Sequence, residues 1–328
     1  MPPALTLADL DHPDSLWNRA AAAGSDDQAD PLCCRSEWQL TFDEVLGRGQ
    51  RTVVRTTADS LVAFAVHREP TLGHVLTPFD WSWRFGSPWL GPDGIELMRA
   101  TVDELAGHGL PASVLVTGIV PGSASERRIL RAFPGWSCWP QDEQEVCVAS
   151  LDGGFDAFLS RRSGQMRRNL RKASSRAAAL GVRFERCAPR DGAGAQAAFA
   201  RIAAVEALSW KGQQAAGVAH PEAGGFYRRL LERTARSGLA RVVFARRGDE
   251  DLGFLFGGLA RGMFRAQQCS FADRWRPHSI GNLLQLETVR WLCEDGAAWY
   301  HMGPTMGYKP HWAEVARTMV SSLFVPRG

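Results

Sequence analysis

Residues 253–312 alternate in a way that few folds can accommodate. Two apolar runs, 253–259 and 262–271 (the second interrupted by Arg265), read as neighbouring strands. A polar loop over 272–277 leads into Ser279-Ile280-Gly281-Asn282. A helical spacing follows, with Leu283, Leu284, Leu286, Val289, Trp291 and Leu292. A short strand is expected at 298–302, and after it comes the tail Gly303 to Trp312, which carries Tyr308-Lys309. A glycine among small polar residues at a helix start offers unpaired N–H groups and the positive end of the dipole to an anion. Strand, polar loop, helix N-terminus and strand in succession can hold an anion and a reactive carbonyl side by side.

The rest of the chain fits a mixed α/β architecture with antiparallel strand pairs. Runs at 51–57 and 60–67, separated by Ala58-Asp59, predict a hairpin. Helices are expected at 93–108 and 124–133, and strands at 112–120 and 144–151. Further along, helices are expected at 154–161, 164–180, 192–209, 222–237 and 280–294. The later strands fall at 239–246, 253–260, 262–270 and 317–325. Asp152-Gly153-Gly154 is the best boundary signal, giving domains 1–151 and 152–328. A chain of 328 residues suffices for two domains of this size.

Charge is nearly balanced, at +3 overall, but unevenly placed. Asp26, Asp27 and Asp30 share one Gly/Ser/Asp-rich loop. Residues 161–176 hold seven basic side chains and no acid. On a helix, Arg167 with Arg171 and Arg168 with Lys172 fall four apart and form one cationic face. That face can contact phosphates of a nucleotide or an RNA backbone, or can simply be a solvated surface. Seven cysteines, an odd number without metal-like spacing, read as reduced, buried thiols, and no metal site is implied. No apolar run reaches the roughly 18 residues that cross a bilayer. The N-terminus lacks a basic segment before an apolar core, so a cytoplasmic protein is expected.

Two further stretches carry chemistry. Glu206-Ala207-Leu208-Ser209-Trp210-Lys211 closes the helix expected at 192–209. A partly buried carboxylate can take a proton from an attacking amine, directly or through water. Trp210 can wall a pocket and Lys211 can pair with an anion. The competing view makes Glu206 a helical ion-pair partner and Trp210 a core residue. Tyr308 can protonate a leaving group, with Lys309 stabilising negative charge, and His301 is a second acid/base candidate. No Gly-x-Ser-x-Gly elbow and no glycine-rich nucleotide fingerprint occur, which excludes the common hydrolase, kinase and dehydrogenase patterns.

Taken together, Ser270-Phe271-Ala272-Asp273, Ser279-x-Gly281 and Gly303…Gly307-Tyr308-Lys309…Trp312 resemble the acetyltransferases associated with cellulose biosynthesis, the CelD/BcsL type of the GNAT superfamily. Residues 206–212 and 165–172 share the resemblance, which spans most of 140–315. It implies a tandem GNAT-like fold, two mixed and mostly antiparallel sheets flanked by helices, also found in Fem-type transferases that use aminoacyl-tRNA. It implies an N-acyltransferase that moves an acyl group from acyl-CoA to a small-molecule amine held between the two halves. The donor site would comprise Ser279, Ile280, Gly281 and Asn282, with Gln267 and Gln268 polarising the carbonyl and Arg167, Arg168, Arg171 and Lys172 on the phosphates. Glu206, Tyr308 and His301 would be catalytic, and Trp210, Lys211, Asp273 and Lys309 would meet substrate. The pyrophosphate loop usual in the superfamily, Arg/Gln-x-x-Gly-x-Gly/Ala, is eroded here to Arg276-Pro-His-Ser-Ile-Gly281-Asn-Leu. This departure keeps two alternatives open: aminoacyl-tRNA as donor, docked on the basic helix 161–176, or a binding protein that has kept the fold without catalysis.

Overall fold

The computed structural model describes residues 6–24, 30–47, 49–110 and 112–327, so Asp26 and Asp27 lie outside the described residues. The chain forms two compact units, residues 1–145 with 317–328, and residues 146–316. The division falls six residues before the one expected from Asp152-Gly153-Gly154, and the last strand returns to the first unit. Among the described residues, no helix is long and apolar enough to cross a membrane.

The first unit opens with α1 (Leu7–Leu10), α2 (Leu16–Ala22) and α3 (Ser36–Leu46). There follow β1 (Thr52–Thr56), β2 (Leu61–Glu69), β3 (Gly73–Thr77), β4 (Trp89–Leu90), α4 (Gly94–Gly107), β5 (Ala112–Ile119), α5 (Ala124–Ala132) and β6 (Ser137–Ser150). Residues 146–150 of β6 already belong to the second unit. The expected hairpin is present, with Val53 opposite Phe64. β3 joins β2 antiparallel and β5 in parallel. β5 is buried along its whole length, Ser113 and Thr117 included, as befits a central strand. Ile95, Met98, Val102 and Leu105 put one face of α4 into the core against Val62, Phe64, Val114 and Val116. The C-terminal strand Val315–Val325 completes this sheet against β5, pairing Phe324 with Val114.

The second unit contains α6 (Gly154–Ser160), α7 (Gly164–Ala179), β7 (Val182–Cys187), α8 (Gly192–Ala207), α9 (Trp210–Gln213) and α10 (Pro221–Arg236). After these come β8 (Ala240–Arg247), β9 (Glu250–Ala260), β10 (Met263–Phe271), α11 (Ile280–Glu294) and β11 (Trp299–Pro304), and the C-terminal strand is therefore β12. Sheet order is β6-β11-β10-β9-β8-β7, antiparallel throughout except for β10 with β11. Successive strand residues face opposite sides. Leu255 packs in one core with Leu283, Leu284 and Tyr300, whereas Phe256 meets Tyr227 of α10. Helices α7 and α11 thus cover one face of the sheet, and α8 and α10 the other. Side-chain caps fix the starts of α7 (Ser163 to the Met166 N–H) and α8 (Asp191 to the Gly194 N–H).

Candidate functional site

β10 and β11 pair in parallel at Met263 with Trp299, Phe264 with Tyr300 and Arg265 with His301, and the pairing stops there. At the same level β10 shifts register against β9 between Ala266 and Gln268, and β11 shifts against β6 between His301 and Pro304. Gln267 is the extra residue of a β-bulge, which bends its strand and leaves ladder groups unpaired. The two strands therefore open as a fork in the middle of the second unit. Arg265, only 4 % exposed, lies in that fork, and its Nη1 donates to the Ala266 carbonyl at 2.9 Å. Gly303, at φ 78°, lets the β11 backbone approach, since a Cβ there would fall 2.5 Å from Arg265 Nη1.

On the α8 and α10 face, Glu206 is 1 % exposed. One carboxylate oxygen accepts from Ser209 Oγ at 2.9 Å and the other from the Val218 N–H at 3.2 Å. Gly217, at φ 61°, closes over it: a Cβ would sit 2.5 Å from Glu206 Oε1 and 3.2 Å from Lys211 Cδ. Lys211 Nζ donates to Gln268 Oε1 at 2.8 Å and to the Cys269 carbonyl at 3.1 Å. Gln268 Nε2 in turn donates to the Tyr227 hydroxyl at 2.7 Å. Burial, countered in part by that amide, raises the Tyr227 hydroxyl above its ordinary range.

On the α11 face a cleft of about 920 Å³ lies between α7, the start of α11 and the segment around Tyr308. Arg171, Lys172, Arg176 and His311 line it together with Ser279 and Asn282, and among the described residues no carboxylate lines it. Ser279 has left-handed backbone (φ 57°, ψ 34°) and its side chain makes no cap, so the first N–H groups of α11 keep no local partner. Beside the cleft, the Tyr300 hydroxyl donates to Gln285 Oε1, and Gln285 Nε2 donates to the Tyr308 hydroxyl at 3.4 Å. Tyr308 is 45 % exposed as a residue, but its hydroxyl turns inward to this buried amide. Burial lifts both phenols well above the ordinary tyrosine range, so both stay protonated at neutral pH. Burial also pushes the Cys269 thiol up to about 12, with Lys211 opposing and Glu206 reinforcing that shift. Cys269 acts electrostatically on Tyr300 and Tyr308 as well, so the groups on the two faces meet across the fork.

The residues named from sequence separate accordingly. Glu206, Lys211, Gln267 and Gln268 gather at the fork, while Arg171, Lys172, Ser279, Asn282 and Tyr308 line the cleft. Ile280 is fully buried in the core and Gly281 packs on Phe271, a Cβ there falling 3.0 Å from the ring. Only the backbone of these two can serve an anion. His301 is 0 % exposed and its Nδ1 accepts from the Gly303 N–H at 3.0 Å, which fixes the turn out of β11. Asp273 pairs with Arg276, and Trp210 is 43 % exposed rather than part of the core. Lys309 follows β11, and its Nζ donates to the Pro304 carbonyl at 2.9 Å. The cationic run also divides. Arg161 and Arg162 both pair with Glu314, and Arg162 is buried over the Phe158 ring beside Trp312. Arg167 stands outside the cleft, and Arg168 donates to Gln165. None of the seven cysteines forms a disulfide, and Cys138 is exposed where a buried thiol was expected.

Sequence reasoning missed Arg265, Tyr227, Gln285 and Tyr300. One signal was available: the chain has three tyrosines, Tyr227, Tyr300 and Tyr308, and all three hydroxyls gather here.

Residues 164–310 match the family model described as an acetyltransferase (GNAT) domain. No protein of curated function matches the chain by sequence. Among solved structures, FemX is similar at 12 % identity and a TM-score of 0.64, over 97 % of this chain and 96 % of FemX. A conserved protein of unknown function from Bacteroides thetaiotaomicron is similar at 12 % identity and 0.63, over 97 % of each chain. L-PGS from Bacillus licheniformis is similar at 13 % identity and 0.55, over 90 % of this chain and 92 % of that one. At these identities the likeness is one of fold. It agrees with the mixed α/β, GNAT-like architecture found here.

Proposed function

We propose that the second unit is an N-acyltransferase whose reaction takes place at the fork between β10 and β11. The observation that carries this reading is a parallel strand pair that opens beside a basic, carboxylate-free cleft. The cleft receives the donor's phosphates on Arg171, Lys172, Arg176 and the first N–H groups of α11. The donor then reaches into the fork, where backbone N–H groups at the Gln267 bulge polarise the acyl carbonyl. An amine enters from the α8 and α10 face and attacks. A C–N bond forms, the bond to the leaving sulfur or oxygen breaks, and Tyr308 protonates the leaving atom. Glu206 accepts the amine's proton, which requires the segment over it, with Ala215 and Gly217 at positive φ, to open.

The donor we favour is an acyl-CoA, because the cleft accommodates a few phosphates. A second reading, an aminoacyl-tRNA, draws on the exposed Arg167 and Arg168, which extend the basic surface beyond the cleft. One experiment separates them: turnover with an acyl-CoA panel and a thiol reagent, with and without ribonuclease, for wild type and for Arg167→Glu/Arg168→Glu. We expect thiol release, indifference to ribonuclease and a small effect of the pair. Activity that requires charged tRNA, is lost in the pair and falls steeply with salt would select the RNA donor instead. Failure with both donors would refute acyl transfer.

A further inference from the structure

Residues 210–219 join α8 to α10 and have little core of their own. Val218 is the one buried side chain among them, while Trp210, Gln213, Gln214, Ala215 and Ala219 are exposed. Their backbone bonds close locally, from Gln214 and Ala216 to Lys211, from Ala215 to Gly212 and from Ala219 to Ala216. Two residues take left-handed backbone: Gly217 (φ 61°), which it suits, and Ala215 (φ 49°), which it does not. An alanine stays in that conformation only where its surroundings hold it. A segment with so few buried apolar contacts opens at lower cost than the strands of the sheet.

Side chains of the candidate site hold this segment down. The Val218 N–H donates to Glu206 Oε1 at 3.2 Å. Ser209 Oγ donates to Glu206 Oε2 at 2.9 Å and also accepts from the Gly212 N–H at 3.1 Å. From within the segment, Lys211 reaches Gln268 Oε1 and the Cys269 carbonyl. Gly217 packs among these groups: a Cβ there would meet Glu206 Oε1 at 2.5 Å, Lys211 Cδ at 3.2 Å and Gln268 Oε1 at 3.5 Å. In this form the segment fills the space beside Glu206 Oε1.

We infer that residues 210–219 are a lid latched by the carboxylate of Glu206, and that the acceptor's ammonium opens it by taking the oxygen that the Val218 N–H holds. The inference rests on the acyl-transfer reading, which brings an amine to this carboxylate. No covalent bond is made or broken in the exchange. A charged N–H, the stronger donor, replaces a neutral one, and the Val218 N–H passes to water. The lid therefore answers to a cation that carries N–H groups and not to positive charge alone.

Hydrogen exchange of the full chain, followed by mass spectrometry on peptides covering 210–219, reads the lid without any turnover. The probes are ethylammonium chloride, titrated to saturation, and tetramethylammonium chloride, which has the charge but no N–H. Ethylammonium should speed exchange of this segment about tenfold, and tetramethylammonium should leave it unchanged. Gly217→Ala puts a methyl against Glu206 Oε1, so its segment should exchange at least about tenfold faster without any amine and ignore ethylammonium. Peptides from β8 and β9 should keep the wild-type rate in that variant. If they too exchange faster, the variant has lost the fold and Glu206→Gln decides alone. Glu206→Gln keeps an oxygen for the Val218 N–H but loses the charge, so its lid should stay shut with and without ethylammonium. A Glu206→Gln lid that still opens to ethylammonium overturns the inference. So does wild-type exchange that ethylammonium leaves unchanged or slows, or that tetramethylammonium speeds equally. A lid that opens as expected in a protein that transfers no acyl group from any donor refutes the proposed reaction and leaves the latch standing.

Discussion

Replacing Gln285 by leucine tests the tyrosine relay with little change of shape. Gln285 is buried on α11 between Leu284 and Leu286, so a leucine fits without opening a large cavity. The Tyr300 hydroxyl, fully buried, would lose its acceptor, and an unsatisfied buried hydroxyl costs about 1–3 kcal/mol. Tyr308 would lose the N–H that faces its oxygen. That contact favours the phenolate, so its removal should push Tyr308 still higher. It also orients the hydroxyl: with the amide on its lone pair, the O–H of Tyr308 points away from Gln285. Turnover should therefore fall about tenfold, a loss of roughly 1.4 kcal/mol in the transition state, with KM for the amine nearly unchanged. Urea unfolding measures the stability term. Alkaline tyrosinate absorbance measures the other, because the chain has three tyrosines, two of them bonded to Gln285 and the third, Tyr227, to Gln268. Gln285→Glu keeps an acceptor for Tyr300 and should recover stability without recovering turnover. Lost stability with wild-type turnover and an unshifted tyrosinate curve would refute the relay and make Gln285 a packing residue.

Other substitutions separate structural from functional charge. Arg162→Ala breaks a buried pair with Glu314 and a bond to the Trp312 carbonyl, so unfolding should become easier by about 3 kcal/mol or more. Arg167→Ala, on the exposed face, should stay within about 0.5 kcal/mol of wild type, and equal effects in a denaturant series would contradict this division. Asn282→Asp puts a carboxylate in the first turn of α11. It should stabilise the helix by about 0.3–1 kcal/mol yet weaken donor binding, and calorimetry showing tighter binding would move the anion site elsewhere. Lys309 has its folded value near 8 against an ordinary 10.5, so below pH 8 it is charged in both folded and unfolded chains and the fold bears the burial cost. That cost fades as pH rises from 8 towards 10.5. Lys309→Met should therefore raise the melting temperature at pH 7 and lose that gain near pH 10. A gain independent of pH would show that packing, not charge, is responsible.

Much of the second unit was legible because its helices are long, periodic and bounded by caps or glycines. The span expected at 280–294 coincides with α11, and that expected at 164–180 with α7 to within a residue. β7 escaped because Val182-Arg-Phe-Glu-Arg-Cys interleaves charges that serve an edge strand, where Glu185 meets Arg201 and Arg246. The site was only half legible. Lys211 and Tyr308 stand beside motif residues, but Gln285 and Tyr227 look like ordinary members of amphipathic helices. Their roles come from which strand residue each one faces, a matter of register that no local pattern encodes. Arg161 and Arg162 mislead for the same reason: their carboxylate partner, Glu314, lies about 150 residues away in the chain.

The return of β12 to β5 bears on the order in which the protein is made. Residues 146–316 are contiguous and can begin to fold as a unit while the chain is still being synthesised. The first unit cannot. Its sheet presents β5 as an open edge until β12 emerges after the whole of the second unit, and only then does Phe324 reach Phe133 and Val114. A nascent or truncated chain ending before Val315 thus carries an unpaired apolar strand, the kind of edge that recruits other chains. The unit that starts first finishes last, and its vulnerable period is set by the translation time of its neighbour.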